Sequence, residues 1–84
     1  MKHLKDVKGM SSKELGRALA DLDYAALQDV MRELGACISM DLIKDSIRGR
    51  HQLADSLCNV ADAIETVVIY LEPVMKVCKP YNES

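Results

Sequence analysis

The sequence predicts an all-α fold: a small bundle of three principal helices with a long antiparallel helical hairpin, completed by oligomerisation. Three observations carry this. Leu53, Leu57, Val60, Ile64, Val67, Leu71, Val74 and Cys78 alternate at spacings of four and three, the period of a helix that buries one seam. Helix punctuation divides the chain, with a capping signal at Ser11, acids at Asp21 and Asp23, and Gly49 between the two longest apolar patterns. The 84-residue chain has three Tyr and neither Trp nor Phe, so its core is aliphatic and small, and partners or further copies commonly complete such cores.

Residues 1–10 hold only Leu4 and Val7 as apolar anchors among alternating charges, and read as a flexible basic arm or a frayed helix. The helical domain is expected over 11–78. Ser11 and Glu14 make an S-x-x-E capping box, flanked by Met10 and Leu15 at the positions of a hydrophobic staple. A first helix is predicted over 12–21, burying Leu15, Ala18, Leu19 and Leu22. Asp21 or Asp23 then caps a second, over 24–48, with Leu27, Val30, Met31, Leu34 and Ile38 in one stripe. Beyond Ile38 the stripe changes face. Asp41 and Asp45 fall where it should continue, while Met40, Ile43 and Ile47 lie nearly opposite. Either the helix breaks between 35 and 39, or one long helix shows its halves to different neighbours. The second reading is preferred, because a helical glycine costs only about 1 kcal/mol.

Gly49 suits the residue after a helix, where positive φ is needed, and "RHQ" turns the chain into the third helix, expected over 50–72. Ala54, Ala61, Val68 and Met75 widen its stripe on one side, and Ala63, Tyr70 and Val77 on the other. Pro73 is expected to stop or kink it, and residues 79–84 to form a flexible tail. An arc this wide exceeds what two short neighbours cover, so a second copy or another protein is expected to complete its burial.

The charges exclude several functions. A net charge of −2 and a pI near 5.6 lack the basic footprint of a nucleic-acid binder. A helix-turn-helix over 11–34 would offer a groove only Gln28 and Arg32, between Asp29 and Glu33. The basic start has no apolar segment behind it, and no run is long enough to span a membrane, so no membrane partner is expected. Three cysteines without CxxC spacing fit reduced thiols in the cytoplasm. Cys58 and His51 stand about 10 Å apart along a helix, too far for a thiolate–imidazole pair. Asp55, Asp62 and Glu65 read as a solvated face, and neither His3 nor His51 has a partner at ligand spacing. No catalytic residue, metal site or cofactor is expected, and no motif is specific enough to carry a family resemblance.

What remains is surface. The chain is expected to be a non-catalytic protein–protein interaction module (inhibitor, adaptor or chaperone-like) and a homo-oligomer, with partner-binding residues Met40, Ile43, Ile47, Val68 and Met75 and an acidic rim. Small acidic helical chains of this kind are common among bacterial and phage regulators, a class-level expectation only. An alternative reading joins Arg48, Arg50 and His51 to the N-terminus of the third helix as an anion site, which would sequester a phosphorylated metabolite or signalling nucleotide at an oligomer interface. A structural assembly or secretion component is the third reading.

Overall fold

The computed structural model describes residues 4–82, with side chains up to Cys78. Expectations that fall on Lys2, His3 and residues 83–84 lie outside the described residues. Within the described part of the arm the chain makes a tight turn. The Met10 amide donates to the Val7 carbonyl at 2.9 Å, and Lys8 and Gly9 take φ of 52° and 77° between them. The Gly9 amide donates to Asp6 Oδ1, so a short polar side chain supports the turn.

Helix α1 (Ser12–Ala20) begins at the expected capping box. Ser11 Oγ accepts from the Glu14 amide, and Glu14 Oε1 accepts from the Ser11 amide, each at 3.1 Å. Two amides left over by the first helical turn are thereby satisfied. These hydrogen bonds hold the Glu14 carboxyl below its ordinary pKa. Leu15, Leu19 and Leu22 are half-buried, but Ala18 is exposed and α1 packs extensively on neither long helix. Nine residues of helix expose too little apolar surface to demand more.

Helix α2 (Tyr24–Ile47) starts where Asp23 Oδ1 accepts from the Ala26 amide at 2.8 Å, and it runs unbroken through 35–39. It ends in a Schellman motif. The Arg50 amide donates to the Asp45 carbonyl at 2.8 Å and the Gly49 amide to the Ser46 carbonyl at 3.1 Å, with Gly49 at φ 78°. Helix α3 (His51–Asn82) follows at once. One expectation is corrected there. The helix does not stop at 71–73, but continues through Pro73 to Asn82. Proline removes one backbone donor, a loss that a helix absorbs when the apolar residues on either side are held; Leu71, Val74, Met75 and Cys78 are all half-buried.

Packing between α2 and α3 makes the fold. The covered side of α2 is Gln28, Met31, Gly35, Ile38, Leu42 and Asp45, spaced three and four apart. Its counterpart on α3 is Ala54, Leu57, Ala61, Ile64, Val68, Leu71, Met75 and Cys78, in the same alternation. Each stripe keeps part of the expected one: Leu27, Met31 and Ile38 on α2 and Leu57, Ile64, Leu71, Val74 and Cys78 on α3 are half-buried, and the remainder shifts round the helix. Val30 and Leu34 are exposed, as are Leu53, Val60 and Val67, while Gln28 is 95% covered. The reason lies in the small residues. A Cβ on Gly35 would stand 3.3 Å from Ile64 Cγ2, so glycine here lets the two helices close. Ala54 and Ala61 do the same from the other side, and Ala54 is the one buried apolar residue among those described.

Gln28 replaces an apolar residue at the open end of this seam. Its Nε2 donates to the Val68 carbonyl at 2.9 Å and to Glu72 Oε1 at 3.0 Å. A buried amide that keeps its bonds is tolerated, and it ties α2 to one register on α3.

A folded 9.3 kDa monomer exposes about 5,000 Å² by surface scaling, whereas this chain exposes 6900 Å². Its radius of gyration, 15.7 Å, exceeds the about 12 Å of a compact 84-residue domain. The molecule is a slab of 53 × 29 × 13 Å, a hairpin without a second layer.

Two outcomes follow. Gly35→Leu should lower stability by about 1–3 kcal/mol in urea unfolding through overpacking against Ile64, and Gly35→Ala by much less, since its tight contact is offset by helix propensity. Glu14 is depressed in the folded chain, so the stability it contributes is present above its unfolded pKa and lost as pH falls through the folded value. The Ser11 amide resonance should titrate with a midpoint below that of a free glutamate.

Candidate interaction surfaces

A two-helix slab has two broad faces, and contacts across the seam show which residues share each. Arg32 Nη2 and Glu72 Oε1 approach to 3.9 Å, so the flank of α2 that bears Arg32 meets the flank of α3 that bears Glu72. On the opposite face a groove of Asp41, Lys44, Asp45, Arg48, Arg50, Leu53 and Leu57 joins the other two flanks near the turn.

Helical register carries Met40, Ile43 and Ile47 round the Arg32 flank toward the turn. They are 58%, 52% and 80% exposed. Asp55, Asp62 and Glu65, all exposed, follow the Glu72 side of α3 and supply acids to the same face. Of the expected partner-binding residues, Met40, Ile43 and Ile47 share this open surface. Val68 and Met75 do not, because both are half-buried in the seam with α2.

The basic turn is only partly available. Arg50 Nη1 lies 3.3 Å from Asp45 Oδ1, and the Asp45 side chain is 13% exposed, so this pair closes the Schellman turn. Arg48 and His51 have no ion pair among the described residues, but the groove that Arg48 and Arg50 line also holds the carboxylates of Asp41 and Asp45. Two carboxylates among three cations cancel most of the attraction that the groove would offer an anion.

Among the described residues no group of three metal-binding side chains occurs, and no helix is long and apolar enough to cross a membrane. The free thiols of Cys37 and Cys58 are exposed, and that of Cys78 is half-buried. Compared with known proteins, the chain matches no family model, no curated protein and no solved structure.

One feature escapes the sequence pattern and another is sharpened by the structure. Gln28 and Arg32, which a helix-turn-helix would turn toward a groove, instead turn toward α3 and meet at Glu72. The signal that betrays Gln28 is its place seven residues before Gly35, in step with Leu42. The second is the outer side of α3. Residues 53, 56, 60, 63, 67, 70, 74 and 77 form another three-and-four alternation beside the covered one, and of these only Val74 is half-buried. The expected arc is thus two seams, one filled and one open.

A phosphorylated ligand on Arg48, Arg50 and His51, at a hundred times its Kd, would add about 2.7 kcal/mol of stability. With Asp41 and Asp45 in the same groove, a thermal-shift screen of nucleotides is expected to show no such gain.

Proposed function

We propose that the chain is a non-catalytic helical interaction module, acting as an inhibitor, adaptor or chaperone-like protein, and that it holds a protein target on the Met40, Ile43 and Ile47 flank of α2. One observation carries the reading: three large apolar side chains, a turn of helix apart, stand more than half exposed where the hairpin offers nothing to cover them. Methionine at the end of such a stripe adapts to an irregular partner. The acids of α3 on the same face favour a basic surface and would speed encounter more than they tighten binding.

Self-association belongs to the same reading. The slab exposes about 1,900 Å² more total surface than a compact monomer, beyond the about 800 Å² that one target of standard size would cover, and exposed apolar residues line both of its broad faces.

Affinity capture from cell lysate compares the natural chain with the doubly substituted Ile43→Asp, Ile47→Asp. Neither isoleucine contributes to the covered stripe of α2, so far-UV circular dichroism should stay unchanged. Retention of the captured protein should fall by about tenfold or more, the equivalent of about 1.4 kcal/mol. Equal capture by both chains overturns the reading.

A further inference from the structure

The open seam of α3 differs from the Met40 flank in one respect: it carries no charge. Leu53, Val60, Val67 and Tyr70 are 46%, 44%, 41% and 69% exposed, and Val77 is 65% exposed. The small residues Ser56 and Ala63 lie between them, and the outward rim of the strip is Asn59, Thr66 and Pro73. Every acid of α3 falls on the other flank, so for about 36 Å of helix the strip and its outward rim carry no charge of their own; only at Leu53 does the strip adjoin the mixed charges of the groove by the turn.

That neutrality selects the occupant. A basic target gains nothing from a strip without carboxylates, whereas an acidic chain can meet its own copy only along a surface where acid does not face acid. The dimensions agree as well. About 800 Å² from each chain makes a standard interface, and the exposed surface in excess of a compact monomer is more than twice that. Resting on the self-association half of the reading above, we propose that the neutral strip of α3 seats the same strip of a second copy, the two helices running in opposite directions about a two-fold axis near Ala63 and Val67.

The direction follows from the helix dipoles. An antiparallel pair sets the positive N-terminal end of each α3 beside the negative C-terminal end of the other, whereas a parallel pair sets like ends together. Leu53 then lies opposite Val77 of the second copy and Val60 opposite Tyr70, with Ala63 letting the helices close at the centre. Two hairpins become a four-helix assembly, and the Met40 flank, on the other broad face, stays open for a target.

Sedimentation equilibrium of the whole chain at micromolar concentration should give twice the 9.3 kDa mass. Val67→Asp should return it to the monomer, while Ile43→Asp with Ile47→Asp leaves the dimer intact. Should Val67→Asp lose its helices, Val67→Thr keeps the shape and is read in its place; its dimer dissociation constant should rise at least about tenfold. Direction is read from disulfides, in chains whose three native cysteines are alanine. Leu53→Cys alone should not cross-link, but mixed with Val77→Cys it should form the mixed dimer.

A monomer at every concentration overturns the strip and self-association together, and leaves the target reading standing. A dimer that Val67→Asp and Val67→Thr leave untouched but Ile43→Asp with Ile47→Asp dissolves overturns the strip alone. Cross-linking of Leu53→Cys to itself overturns the antiparallel arrangement.

Discussion

A hairpin of two helices can hide one side of each and no more, and this constraint shapes everything else in the molecule. The meeting of α2 and α3 uses all the burial that the chain can arrange for itself, because α1 is too short and too loosely placed to add a layer. What the two long helices do with that single seam is accordingly economical. Gly35, Ala54 and Ala61 bring the backbones together, so that Ile64 packs directly against the α2 backbone at Gly35. The cost is a thin core. Among the described residues only Ala54 and Gln28 are buried, and stability of this kind is small and readily supplemented by association.

Polar residues within the seam give it direction. Apolar stripes alone would let α2 slide by a turn along α3, since residues three or four apart are nearly equivalent. The amide of Gln28, which must find its acceptors once buried, accepts only the register that offers the Val68 carbonyl and Glu72. Asp45 plays the corresponding part at the other end, holding Arg50 across the turn. Together they mark both ends of the seam. Each sits where a hydrophobic side chain would have given more burial and less specificity.

Much of this architecture was legible in the residues. The capping box at Ser11, the continuity of α2, the glycine that ends it and the over-wide apolar arc of α3 all follow from local chemistry, and the structure has each. About half of each covered stripe was legible, Leu27, Met31 and Ile38 on α2 and Leu57, Ile64 and Leu71 on α3; the rest was missed because apolar content was taken as the guide. Val30 and Leu34 outweigh Gln28 and Gly35 on any hydrophobicity scale, yet close approach rewards the smaller residue and hydrogen bonding rescues the polar one. Pro73 misled for a related reason: its local cost is real, but half-buried residues on both sides outweigh it. The open surfaces were legible only in part. Met40, Ile43 and Ile47 stood out by falling off the stripe, whereas Val68 and Met75 could not be told from outward residues until the seam was known.

Gly49 has a further consequence. Its φ of 78° is the point at which the chain reverses, and only three residues separate two long helices of high helical content. With that reversal straightened, α2 and α3 would run on as one rod. The α2 of each rod would then find its seam on a neighbour's α3 and exchange arms with it, satisfying the same contacts between chains that are now made within one. A single left-handed glycine thus stands between a closed hairpin and a swapped one.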